Sequence, residues 1–227
     1  SFAEVVLTTP VADASHPAFS NLFVQTELLE QQHAIICTRR PRSLGEAHPA
    51  MFHTMKVYKA KVKNVSYETD RMKFTGRGNT IHQPAAMLQN GPMSSTQGAV
   101  LDPIIAIRYE IEIDPLQTAI IDMVTGIADT KENCMALIDK YQDKFLADRG
   151  FELSWTHSQV ILRQINASEK DAQLYGKLAS AVIYLNQSLR AAPGIIAQNN
   201  RGQSGLWGYS ISGDLPVVLV QIEDTKN

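Results

Sequence analysis

Residues 104–113 read Ile-Ile-Ala-Ile-Arg-Tyr-Glu-Ile-Glu-Ile. Within this stretch Ile105, Ile107, Tyr109, Ile111 and Ile113 alternate with Ala106, Arg108, Glu110 and Glu112. A sustained period of two is the pattern of a half-buried strand, with one face in a core and the other wet. Asp102-Pro103 before it and Asp114-Pro115 after it are good turn formers. Working outward, shorter apolar runs at 2–9, 21–28, 33–38, 53–63, 65–69 and 118–125 predict further strands. Their number and spacing point to antiparallel sheets packed as a β-sandwich, so the expected class is mainly β with some α.

Near residue 128 the period becomes helical. Asp129 followed by Glu132 has capping-box spacing, and Cys134, Leu137, Tyr141 and Phe145 follow on one helical face. Gly150 is expected to punctuate, after which Phe151, Trp155, Ser158, Leu162 and Ile165 recur at helical intervals. Ser168 with Asp171 signals a further N-terminus, with Leu174, Leu178, Ala181, Val182 and Leu185 as its expected buried stripe. Pro193-Gly194 opens a loop towards the glycine-rich stretch 202–213. A last apolar run, Val217 to Ile222, begins a new element just before the end. It predicts that the chain is a piece cut inside a longer protein.

Composition narrows the function classes. Of 227 residues, 44% are hydrophobic and 19% charged, enough apolar material for a real core. Lys and Arg number 21 against 23 Asp and Glu, a formal charge of −2 that offers no footprint for a nucleic-acid backbone. No stretch approaches a membrane span and no signal peptide opens the sequence. Cys37 and Cys134 make no disulfide framework and share no metal-ligand spacing, so neither metal nor cofactor is expected. The expectation is a soluble globular protein of a reducing compartment.

Catalytic signatures such as HExxH, CxxC pairs, GxxxxGK[ST] and GxSxG are missing. Gly76-Arg77-Gly78-Asn79 reads as a turn between strands. His33, His53 and His157 read as structural residues. Glu110 and Glu112 share one strand face, but the wet one, which does not suit a pair of glycosidase carboxylates. Arg39, Arg40 and Arg42 follow an apolar strand, and their guanidinium groups would project from its end. Such forks hold a carboxylate or phosphate, or make interdomain contacts. The best ligand-like constellation is Trp207 and Tyr209 among glycines, beside Asp214. Sugars are held by aromatic faces against their C–H groups and by carboxylates that accept hydroxyl hydrogen bonds.

Gly202-Gln203-Ser204-Gly205-Leu206-Trp207 followed by Ile211-Ser212-Gly213-Asp214-Leu215-Pro216 resembles glycoside hydrolase family 94, the inverting sugar phosphorylases. The likeness is closest to the phosphorylase-like C-terminal region of the cyclic β-1,2-glucan synthases. Supporting segments run in the same order along the chain: Phe23–Glu27, Thr38–Ser43, Tyr67–Arg71, Phe74–Gly78, Asp102-Pro103 and Phe151–Ser158.

The resemblance implies a galactose-mutarotase-like supersandwich, here partial, over residues 1–128, linker helices over 129–200, and over 201–227 the start of an (α/α)6 barrel. The family's catalytic acid lies deeper in that barrel. No catalytic residue is therefore expected here, and the chain by itself is expected not to be an enzyme. The resemblance places Asp214 at a donor-sugar contact. Phosphorylase members carry an arginine six residues earlier, where this chain has Gly208. The implied partners are β-1,2-glucan or another glucose oligomer, the barrel, and a second copy in a homodimer. The implied setting is the cytoplasmic face of the inner membrane, within a membrane-anchored bacterial parent. An independent lectin-like domain and a purely structural dimerisation piece are the alternatives.

Overall fold

A computed structural model describes residues 1–41, 45, 49–184, 186–215, 217 and 219. The chain forms two compact units, Ser1–Phe151 and Glu152–Asn227. The strands are β1 (Phe2–Glu4), β2 (Val24–Leu29), β3 (Ala34–Arg39), β4 (Ala50–Tyr58), β5 (Lys61–Asp70), β6 (Pro103–Glu112) and β7 (Ile120–Ala128). The helices are α1 (Pro10–Ser15), α2 (Pro17–Asn21), α3 (Arg71–Thr75), α4 (Ala85–Leu88), α5 (Lys131–Gln142), α6 (Lys144–Gln164), α7 (Glu169–Ile183), α8 (Pro193–Gln198) and α9 (Ser204–Trp207).

In the first unit the strands make two antiparallel sheets, ordered β1-β6-β5 and β2-β3-β4-β7. Ile105 and Ile107 of β6 meet Ile35 and Cys37 of β3 and Met51 and Met55 of β4 in the core between them. The expected sandwich is there, with antiparallel pairing throughout. On one side Thr26 of β2 and Thr69 of β5 join the sheets through a buried hydroxyl pair 2.8 Å apart.

The deciding strand departs from its own pattern. Ile104, Ile105, Ala106 and Ile107 are all buried, and a wet face begins only at Glu110. The short helices α3 and α4 explain this. Phe74 and Ala86, together with Met93, cover Ile104 and Ala106 from the outer side of the sheet. A strand covered on both faces gains burial from every residue, about 1.5–3 kcal/mol for each large aliphatic side chain.

The run 53–63 is not one strand. β4 ends at Tyr58, Lys59 takes a left-handed φ of 59°, and the chain resumes in the other sheet as β5. A lysine in that conformation carries no turn signature, so apolar alternation runs across the crossing unmarked.

α5 packs on the outer face of the four-stranded sheet. Its cap is Thr130, not Asp129: the Thr130 hydroxyl accepts a bond from the Asn133 backbone N–H at 3.1 Å. Cys134 and Ile138, four apart, enter a second core with Ala34, Ile36, Ala50 and Phe52. Ile138 is absent from the predicted stripe, while Phe145, predicted to lie on it, is 75% exposed. α6 runs straight through Gly150, since one glycine costs a helix only about 1 kcal/mol.

In the second unit, the predicted Ser168–Asp171 capping box is formed at α7. The stripe behind it is not buried: Leu174 is 52% and Leu178 is 39% exposed. Leu185 lies outside the described residues, as do Pro216 and the end of the final apolar run.

Candidate functional site

The stretch 202–214 folds back on itself around one carbonyl. Gln203 Nε2 donates to the Ser212 carbonyl at 2.9 Å and to Asp214 Oδ1 at 2.6 Å. Trp207 Nε1 donates to the same Ser212 carbonyl at 3.3 Å. Gly213 makes the reversal possible: its φ is +74°, and a Cβ there would stand 2.9 Å from Leu206 Cδ1 and 3.0 Å from Gln203 Cγ. The result is a carboxylate with one oxygen tied to a side-chain amide, which orients it as an acceptor.

Trp207 is 64% and Tyr209 is 72% exposed, so both aromatic faces are open. Tyr209 lines a shallow cavity of about 540 Å³ together with Arg201, Gln203 and Leu206, whereas Trp207 and Asp214 lie outside its lining. The structure thus draws Trp207 and Asp214 together through Ser212, and places Tyr209 on the neighbouring wall. Gln203, which orients the acid, is the residue that sequence reading missed. Its place inside the glycine-rich motif was the only available signal.

The arginine cluster divides. Arg39 is buried at 4% exposure, donates to the Ser20 carbonyl at 2.9 Å and lies 5.2 Å from the Phe23 ring centroid. Arg40 is exposed, and Arg42 lies outside the described residues. Arg39 therefore does not project from the strand end with Arg40. Being the last residue of β3, it turns inward under α2.

The other candidates have structural surroundings. Glu110 and Glu112 are exposed, and Glu112 sits 3.5 Å from the Lys63 ammonium. His33 Nδ1 lies 2.9 Å from the Tyr67 hydroxyl. Burial, with Lys56 nearby, lowers the His33 pKa, and burial pushes the Tyr67 phenol up to about 12. His53 is bonded on both nitrogens, 2.7 Å from Thr125 Oγ1 and 2.9 Å from Ser1 Oγ. Its pKa is lowered to about 4, chiefly by burial. His157 is exposed on α6. Gly76 and Gly78 both have φ of 79° and form a turn, but it follows the helix α3 and precedes α4 and so does not join two strands as expected. Among the described residues, no group of three or more His, Cys, Asp or Glu is placed to hold a metal. No helix among them is long and apolar enough to cross a membrane.

The chain is 31% identical over 224 residues to the cyclic beta-(1,2)-glucan synthase NdvB of Rhizobium meliloti (strain 1021). That match takes in 99% of this chain but spans only 8% of the relative. The family model for the glycosyl hydrolase 94 supersandwich domain matches residues 1–144, the segment that builds both sheets and α5. With its two antiparallel sheets joined across the Ile105–Ile107 core, the chain belongs to the glycosyl hydrolase 94 supersandwich family.

Proposed function

We propose that this chain is the carbohydrate-binding and scaffolding portion, itself without catalytic activity, of a cyclic β-1,2-glucan synthase-like enzyme. The similarity to the Rhizobium synthase across 99% of the chain carries the reading, and the oriented Asp214 beside an exposed Trp207 supports it. An oriented carboxylate and an open aromatic face suit the hydroxyls and the C–H face of a glucose oligomer. In this reading Asp214 contacts sugar, and the general acid that glycosidic cleavage needs comes from the barrel.

In this reading the parent is anchored in the inner membrane of a bacterium, with this segment at the cytoplasmic face. An (α/α)6 barrel is its partner. The uncovered apolar side chains of Trp155, Leu174 and Leu178 in the second unit are the kind of surface such a partner covers.

The test is an activity assay on the purified chain with β-1,2-glucooligosaccharides and inorganic phosphate. No glucose 1-phosphate is expected, and its release would overturn the proposal. In a longer synthase carrying this segment, Asp214→Asn is expected to impair sugar handling, whereas in the isolated chain, where no barrel completes the Asp214 site, it is expected to leave any binding unchanged. Equal loss in both would make 202–214 a self-sufficient sugar site.

A further inference from the structure

The segment Tyr67–Arg71 plays no part in the Asp214 site, yet it contains a buried carboxylate. Glu68 is 1% exposed on the outer face of the three-stranded sheet, where the β5–β6 register slips between Glu68 and Asp70. Such an irregularity re-aims a side chain. Glu68 Oε1 accepts the backbone N–H groups of Thr69 and Asp70, each at 3.0 Å, and Oε2 accepts the Ser94 hydroxyl. From there the polar chain continues: Ser94 Oγ is 3.1 Å from Thr96 Oγ1, which accepts from Lys73 Nζ at 2.8 Å. Between the two hydroxyls, Ser95 holds a left-handed φ of 52°. Non-glycine residues held there cluster at ligand clamps and active sites.

Of these groups Glu68, Ser94 and Lys73 line a cavity of about 250 Å³, together with Pro92, Met93 and Arg108. Arg108 donates to the carbonyls of Ala86 and Gly91, so two of its five N–H donors hold other residues of the lining. On the same sheet face, directly across from Arg108, the Ser66 hydroxyl is buried without a hydrogen-bond partner among the described residues.

We infer that this cavity is a binding site for a single neutral glycosyl unit, separate from Asp214. The volume lies below the ~300–1,000 Å³ of drug-sized sites and suits one ring. Glu68 and Ser94 supply acceptors and Lys73 a donor, the mixture that a ring of hydroxyls matches. Pro92 and Met93 present an apolar wall to its C–H face. An anion fits worse, since the Glu68 carboxylate in the lining would repel it. The inference goes beyond the proposed function and does not depend on the Asp214 site.

The experiment is heteronuclear NMR of the whole chain, titrated with methyl β-glucoside and, separately, with inorganic phosphate. Saturable shifts are expected at the amides of residues 89–96 and of Lys73 with the glucoside and not with phosphate. Lys73→Met, an exposed position whose loss leaves the fold intact, is expected to weaken binding about tenfold, the effect of one lost charge-assisted hydrogen bond. Asp214→Asn is expected to change nothing at these amides. Absence of saturable shifts there, a response to phosphate instead, or undiminished binding by Lys73→Met would each overturn the assignment. None of these outcomes bears on glucose 1-phosphate release, so the two proposals fail separately.

Discussion

Phe52 of β4 lies across its strand partner Gly126 of β7, its ring filling the place of the missing side chain. A Cβ at Gly126 would stand 2.6 Å from Phe52 Cε1. Phe52 is 1% exposed and wedged beside Ile36, Cys134 and Ile138, so it has little room to withdraw. Gly126→Ala is expected to cost about 1–3 kcal/mol by overpacking. Urea titration measures this, and adding Phe52→Leu should return part of the loss as a coupling energy. A loss below about 0.5 kcal/mol would show that the ring moves aside freely.

The two apolar helical faces should respond differently to truncation. Ile138 is fully buried against the sheet, and Ile138→Ala is expected to cost about 2–5 kcal/mol. Leu178, at 39% exposure, loses far less contact, so Leu178→Ala should cost less than about 2 kcal/mol. Denaturant midpoints of both variants decide the matter. Comparable losses would mean that the α7 face is covered in solution.

His53 makes stability depend on pH. Its pKa in the folded chain is about 4, below the ordinary 6.5, so protonation favours the unfolded state. The unfolded chain takes up the proton first as pH falls. Stability is therefore full above about pH 6.5 and declines towards pH 4, by up to about 3 kcal/mol. Urea midpoints across this window should fall, and His53→Asn should flatten the slope. An unchanged slope in the variant would assign the effect to other groups.

Arg39 and Arg40 are neighbours in sequence with different surroundings. Arg39→Ala removes a buried charge-assisted bond to the Ser20 carbonyl and the contact with Phe23, and is expected to cost about 2 kcal/mol. Arg40→Ala, at an exposed position, should stay within about 0.5 kcal/mol. Thermal melts of both variants check this, and a silent Arg39→Ala would return both residues to the surface cluster expected from sequence.

The site was legible only in part. Trp207, Tyr209 and Asp214 stand out because aromatics and an acid among glycines are chemically unusual. Gln203 does not, because an amide shows its purpose only once the chain has folded back to bring Ser212 and Asp214 within reach. Glu68 is hidden for a similar reason. In the sequence it is one acid among charged neighbours, and it is buried only once the segment around Ser94 folds over it.

The sequence alone determined the strand at 104–113, the antiparallel sandwich, the change to helices after residue 128 and the Ser168–Asp171 cap. Each of these rests on local periodicity or on a bond between near neighbours, which the order of residues encodes directly. Tertiary structure decided which faces are covered. Ile104 and Ala106 are buried because α3 and α4 lie over them, and Leu174 and Leu178 are exposed because nothing in their unit does the same. It also decided that β4 and β5 belong to different sheets, since the left-handed turn at Lys59 has no signature in residue type. Periodicity states which side of an element is apolar. Only the elements that pack against it determine whether that side meets protein or water.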